Sequence, residues 1–353
     1  MVNRIGEERS TKIVANWILL GVGMLIIQVL LGGITRLTGS GLSITEWKPI
    51  MGTLPPMGEA EWQTAFSRYQ QIAQYKYINS HFSLSDFKFI FFWEWFHRHW
   101  ARFIGVVFLL PFIYFLITGY FKKWMINPLI ILFLLGALQG AIGWIMVQSG
   151  LNQEDIYVNH IRLAAHFIAA MVLICYSLIF WMMLSTTDQQ RVINARLKNF
   201  TTIVLLILLL QLTYGAFMAG LKAATAAPTW PDMNGVFAPE MSKLSWVNSA
   251  VAVQFIHRML AYTLLLLLLG WWLSAKKFNS SAVFNKTRNW VLILVVIQVI
   301  LGILSVVNSL KIVPGQFGVF EWLALSHQLV GMLLLLVLVA AFYLLKRSGK
   351  YTS

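Results

Sequence analysis

The chain has 353 residues, of which 58% are hydrophobic and 11% charged, with a formal net charge of +14. An ordinary soluble domain carries about 25% charged residues, so a soluble fold is excluded, and with it the nucleic-acid partner that so basic a chain would otherwise suggest. One cysteine, Cys175, excludes an intramolecular disulfide and a cysteine-based metal cluster.

In chain order, the first uncharged run covers 14–34. It is too long for a signal peptide and has no small-residue cleavage site, so a retained membrane helix is expected. QVLLGGITRLTGSGLSITEW (28–47) leads from it into a long outer stretch, 37–93, that carries Pro49, Pro55 and Pro56. FFWEWFHRHWARF (91–103) then sets Glu94, His97, Arg98, His99 and Arg102 among apolar and aromatic positions, just ahead of the second run at 103–121. The third run, 128–151, contains QGAIG (139–143), and the fourth, 163–187, opens on LAAH (163–166). The fifth is 199–221; the sixth, 247–275, contains QFIHR (254–258); the seventh, 289–310, contains QVILG (298–302); the eighth, 322–345, holds ALSH (324–327). Each is long enough for the roughly 20 apolar residues that cross a bilayer. The expected fold is an all-α integral membrane protein with eight transmembrane helices.

Basic residues sort by loop. With the N-terminus inside, Arg4, Arg9, Lys12, Lys122, Lys123, Arg191, Arg196, Lys198, Lys276, Lys277, Lys286, Arg288, Lys346, Arg347 and Lys350 all fall on one side in short segments, which predicts both termini cytoplasmic. A bacterial inner membrane is the simplest location. Arg36, Arg98, Arg102, Arg162 and Arg258 lie near helix ends on the other side and need another explanation.

The chain repeats itself. Gln28–Trp47 aligns without a gap onto Gln211–Trp230 at an offset of 183, pairing Gln28 with Gln211 and Gly32 with Gly215. EWFHR at 94–98 matches QFIHR, QGAIG matches QVILG, and LAAH matches ALSH. The first four spans therefore recur as the last four, giving two four-helix bundles, 1–198 and 199–353, in the same orientation as in parallel-repeat membrane proteins. The offset falls to about 160 by Glu94, which locates extra sequence in the first outer loop.

The repeat pairs His97 with His257 and His166 with His327, all near the starts of spans that descend from the outer side. His81, His99 and His160 have no histidine partner; His99 lies about 200° round the helix from His97 and faces elsewhere, and His160 reads as interfacial. A single membrane histidine reads equally as a packed polar residue, but four repeat-related ones favour a functional site. Two imidazoles on separate helices suit the axial positions of haem iron in a bundle core. Zinc fits poorly, with two nitrogen ligands per half. Arg98 and Arg258, matched across the repeat, suit haem propionates or interfacial snorkelling. Most glycines read as ordinary small-residue packing.

The halves differ where the first has Glu94 and the second Gln254. Three residues before His97, Glu94 falls on the same helix face. There it accepts a proton or stabilises charge on a substrate, or simply pairs with Arg98 or Arg102.

Together GGITRLTGSGLSITEWKPI with the following GTLPP, ExxHR at 94–98, RLAAH at 162–166, FIHR at 255–258 and LSHQ at 325–328 resemble the haem A synthase family over essentially the whole chain. The resemblance implies oxidation of the C8 methyl of haem O to the formyl group of haem A, through successive hydroxylations and loss of water, for cytochrome c oxidase. It implies that His97 and His166 hold the substrate haem, that Glu94 assists the chemistry, and that His257 and His327 hold a haem B cofactor. Its implied partners are the farnesylating enzyme that makes haem O, cytochrome c oxidase assembly and an unidentified electron donor; a homo-oligomer is compatible with it. The farnesyl chain calls for an apolar, lipid-accessible groove. Some family members carry cysteine pairs in outer loops; this chain resembles the branch without them. A bis-histidine di-haem cytochrome that leaves its haem unmodified is the alternative, and a solute transporter, suggested by the parallel repeat alone, is a third class.

Overall fold

A computed structural model describes residues 2–46, 51–278, 281–312 and 317–346; Trp47, Pro49, Arg347 and Lys350 lie outside them. Nine α-helices run in order among the described residues: α1 (Val2–Leu37), α2 (Glu59–Tyr69), α3 (Leu84–Ile117), α4 (Ile126–Gln148), α5 (His160–Ser185), α6 (Ala195–Gly220), α7 (Ala250–Ala275), α8 (Ala282–Val307) and α9 (Val319–Leu344). All but α2 are long and apolar enough to cross a membrane, and the protein is an all-α integral membrane protein.

Helix starts follow local chemistry. Asn159, Asn194, Ser249 and Ser281 cap α5, α6, α7 and α8 with side-chain oxygens that accept otherwise unpaired N–H groups. Ser83 and Asp86 form a capping box at the start of α3. That box corrects the expected second span: the helix begins at Leu84, not 103. The charges that argued for loop are absorbed inside the helix, because Glu94 and Arg98 pair one turn apart at 2.5 Å. The outer stretch expected over 37–93 therefore ends at Ser83 and contains α2 and a π-helical turn, Tyr75–Asn79.

Pro111 lies inside α3 and has no N–H to donate one turn back to Val107. The Val107 carbonyl instead accepts the Trp17 indole N–H of α1 at 2.9 Å.

The central core packs α5, α6, α7, α8 and α9 around Met171, Ile174, Leu208, Leu268, Trp271 and Met332. In α1, Gly33 lies against Leu325 and Gln328 of α9, and Gln328 Nε2 donates to the Val29 carbonyl at 3.1 Å. Close approach at small residues is how helices associate where lipid removes the hydrophobic drive. α7 and α8 pack on each other; α3 packs on α1 and α4 on α5, but α3 and α4 make almost no contact.

At one end the N-terminal helix, the α3–α4 turn, the α5–α6 linker and the C-terminal end of α9 meet. Lys122 pairs with Glu7 at 3.7 Å, Ser281 donates to the Gln190 carbonyl, Lys346 pairs with Asp188, and β1 (Val192–Ile193) lies parallel to β2 (Leu345–Lys346). At the other end the aromatic cluster of Phe66, Tyr69, Phe87 and Phe91 builds a cap over the first half. Burial pushes the Tyr69 phenol up to about 12; its hydroxyl donates to Gln74, which in turn donates to the Gly39 carbonyl at the end of α1.

Candidate functional site

One apolar cavity of about 1960 Å³ runs through both halves, well beyond the roughly 300–1,000 Å³ of an ordinary small-molecule site. His97 on α3, His166 on α5, His257 on α7 and His327 on α9 all line it; His99 and His160 do not. His99 stacks on Trp95 with ring centroids 5.0 Å apart. His160 reaches the Val247 carbonyl at 2.9 Å, tying α5 to the outer loop of the second half. Counted from the inner ends, His97 precedes Ile117 by 20 residues, His166 precedes Ser185 by 19, His257 precedes Ala275 by 18 and His327 precedes Leu344 by 17. The four share one depth, and α3 simply extends further outward than its counterparts.

Each histidine meets the same device on the preceding helix: a glycine with a glutamine four residues before it. Cβ atoms added to Gly32, Gly143, Gly215 and Gly302 would lie 3.4, 2.8, 3.3 and 2.9 Å from the nearest ring atoms of His97, His166, His257 and His327. One turn before each glycine, Gln28 donates to the His97 carbonyl at 3.3 Å, Gln139 contacts His166 Nδ1 at 3.2 Å, and Gln211 and Gln298 contact Nε2 of His257 and His327 at 3.3 Å. All four glutamine Oε1 atoms are buried without a partner. Sequence reasoning paired these glutamines two by two but missed that all four repeat one Gln-x-x-x-Gly spacing opposite a histidine.

Haem is the group that the resemblance implies, and the residues fit it. The donors are imidazoles in two pairs, and no group of three or more His, Cys, Asp or Glu suited to another metal exists among the described residues. His257 and His327 face each other with ring centroids 6.3 Å apart, too far for a direct hydrogen bond and enough to admit one metal atom, since a metal–imidazole bond is about 2 Å. His257 Nδ1 is buried without a partner. The glycines keep side chains from beside each ring.

Glu94 is 2% exposed and lines the cavity. Its Oε2 accepts from Ser43 Oγ at 2.7 Å and the Ile44 N–H at 2.8 Å, and its Oε1 accepts from Arg98 at 2.5 Å. Arg98 also donates to the Ile44 carbonyl. The second half makes the same clamp without the charge. Gln254, fully buried, donates to the Ala227 carbonyl, and Arg258 donates to the carbonyls of Ala227, Thr229 and Asp232. Ile44 and Ala227 are themselves matched at the offset of 183. Arg98 and Arg258, both on the cavity wall, thus spend donors on fastening the chain that leaves the preceding membrane helix.

Arg36 is the cation left over. It lines the cavity, and its guanidinium has no hydrogen-bond or ion-pair partner among the described residues. On α1, Gln28, Gly32 and Arg36 follow at four-residue intervals along one face, so Arg36 sits one turn outward of the Gly32–His97 contact. Its counterpart at the offset of 183 is Ala219, a second asymmetry between the repeats.

The family described as cytochrome oxidase assembly protein matches residues 15–339. A protein named "Heme A synthase" from Flavobacterium johnsoniae is 37% identical over 97% of this chain and 100% of its own length. A second of that name, from Rhodopseudomonas palustris, is 39% identical over 94% of this chain and 91% of its own. A third, from Rhodospirillum centenum, is 44% identical over 75% of this chain and 73% of its own.

Proposed function

The chain belongs to the cytochrome oxidase assembly protein family, and on that premise we propose that it is a haem A synthase, a membrane oxidoreductase that turns the C8 methyl of haem O into the formyl group of haem A. Each hydroxylation consumes dioxygen, two electrons and two protons and releases water; the geminal diol then loses water to leave the formyl. The first half, 1–198, takes the substrate haem between His97 and His166. The second half, 199–353, keeps a resident haem B between His257 and His327, which when bound supplies one-electron transfer. Haem O comes from the farnesylating enzyme, haem A goes to cytochrome c oxidase assembly, and electrons come from a donor yet to be identified. The membrane is a bacterial inner membrane with both termini cytoplasmic, in keeping with the basic residues gathered at the linker end.

The observation that carries this reading is Glu94 opposite Gln254. Gln254 fastens its loop without a charge, so the clamp alone does not require a carboxylate. A buried carboxylate on the cavity wall beside His97 serves the reaction instead, by stabilising positive charge that develops on the substrate. Three of its roughly four lone-pair sites are already taken, which favours this electrostatic role over proton removal. Arg36, unpaired and one turn outward, meets a propionate of the substrate haem.

Co-expression with a haem O source tests the assignment. Wild type accumulates haem A; Glu94→Gln binds haem but lowers the yield by at least about tenfold. Unchanged haem A from that variant removes Glu94 from the chemistry. Haem bound without any haem A formed by wild type would favour the electron-transferring cytochrome, and a purified protein with no Soret band after expression with ample haem would sink both.

A further inference from the structure

The cavity wall is closed between α7 and α8 and open between α3 and α4. Among the described residues of α7 and α8, every residue lining the cavity is buried or half-buried. On α3 and α4 the lining residues include Gly105, Val106, Leu109, Phe133, Gly136 and Gly140, all of them exposed; Val106 is 49%, Leu109 42% and Phe133 52% exposed. Lining residues left exposed on two facing helices mark an opening between them. The cause lies in the packing: α7 meets α8, whereas α3 and α4 make almost no contact. Cβ atoms added to Gly105, Gly136 or Gly140 would meet nothing within 4 Å, so these glycines border free space rather than a neighbouring helix.

The slot has a definite depth. Gly105 lies eight residues inward of His97, and Gly136 seven residues from Gly143, the glycine beside His166. At 1.5 Å per residue both edges are roughly 10–12 Å from the histidine level along their helices. Leu109 is eight residues before Ile117, the inner end of α3, so the slot opens within the hydrocarbon layer rather than at the headgroups. All six residues are apolar or glycine, leaving nothing to hydrogen-bond a polar occupant.

We propose that this slot between α3 and α4 is the subsite for the isoprenoid tail of the substrate haem, which lies in it with the macrocycle between His97 and His166 and enters and leaves sideways through it. The proposal rests on the haem O reading above. It commits to an aliphatic chain attached to the ligand because the slot is continuous with the histidine-lined cavity, is wholly apolar, and is present only in the half assigned to the substrate. Haem B has no such tail, and the half assigned to it has no such slot.

Purified full-length protein titrated with haem O and, separately, with haem B, followed by the Soret difference band, tests this. Burial of a CH₂ group is worth about 0.8 kcal/mol, so a seated tail makes wild type prefer haem O by at least about tenfold. Gly105→Phe and Gly136→Phe, singly and together, extend rings into the slot from positions where an added Cβ meets nothing within 4 Å and weaken haem O by about tenfold or more, leaving haem B affinity unchanged. Leu134→Phe, on the lipid face of α4 outside the cavity, changes neither. Equal weakening of both haems would show a general squeeze on the macrocycle and overturn the proposal. So would unchanged affinities, including the case in which filling the slot expels only a copurified lipid seen by mass spectrometry. If wild type bound neither haem, the functional reading itself would fall; if it bound both equally and the Phe variants matched it, only the slot assignment would.

Discussion

A membrane-buried imidazole must be kept apart from bulky neighbours if a planar group is to slide beside it, and here a glycine on the adjacent helix does this for each of the four histidines. The contacts are graded. An added Cβ would stand 2.8 Å from the His166 ring at Gly143 and 2.9 Å from the His327 ring at Gly302, but 3.3 Å from His257 at Gly215 and 3.4 Å from His97 at Gly32. Overpacking costs about 1–3 kcal/mol, so if the proposed haem sits there, Gly302→Ala, by displacing His327, is expected to lower the haem content measured by pyridine haemochrome, while Gly215→Ala does so much less. Equal haem in the two variants would show that the ring moves freely and the glycine is incidental. At this scale the histidines were legible in the sequence because the repeat singled them out. The glutamines and Arg36 were not, because a polar side chain reveals its role only when the group it faces, or fails to face, is known.

Among elements, α3 shows most plainly what sequence reading could reach. Its inner end follows from hydropathy, but its outer nineteen residues carry Asp86, Lys88, Glu94 and Arg98 and look like loop until Ser83 caps them and Glu94 pairs with Arg98. Charges paired within one helix cost far less in a membrane than the same charges counted singly, and a hydropathy window counts them singly. The clamp that these residues form recurs on α7, where Arg258 satisfies three carbonyls at 2.8–2.9 Å. Arg258→Leu removes three hydrogen bonds from a charged donor, leaving the Ala227 carbonyl to Gln254 and the Asp232 carbonyl to Thr229, and is expected to cost about 2 kcal/mol, read as a fall in Tm in detergent and faster proteolysis near Thr229. Arg258→Lys, whose three donors radiate from one atom and cannot reach all three carbonyls as the guanidinium fork does, falls between the two. A Tm equal to wild type in both variants would show the outer loop to be held by other contacts.

The whole molecule is joined across its halves by α1, α5, α6 and α9 and by the lock at the linker end. There the hydrogen bond and charge of Lys346 hold the Asp188 carboxyl below its ordinary value; that contribution is in place above the ordinary carboxylate range and is lost as pH falls through the lowered value. Because β1 and Asp188 follow α5 in sequence, a chain cut after Ser185 keeps the lock on the second fragment. The two fragments, co-expressed, are expected to copurify and to retain the Soret band; separation in mild detergent would mean that the linker, not the helix interface, holds the halves together. The eight-span plan was legible from composition, whereas the difference between the α3–α4 and α7–α8 walls depends on which helices touch, which no periodicity encodes.

Pro111 gives that difference a mechanical side. A helix bends most cheaply where a backbone hydrogen bond is already missing, and α3 lacks one between Val107 and Pro111, beside the slot lined by Val106 and Leu109. The orphaned Val107 carbonyl is held by the Trp17 indole, so bowing about this point breaks no bond within α3. The helix is anchored at its outer end by the Glu94–Ile44 clamp, and the turn at its inner end by Lys122 and Glu7. A bend at this point would widen the gap between α3 and α4 at the cost of the Trp17 contact alone, without breaking a hydrogen bond within α3.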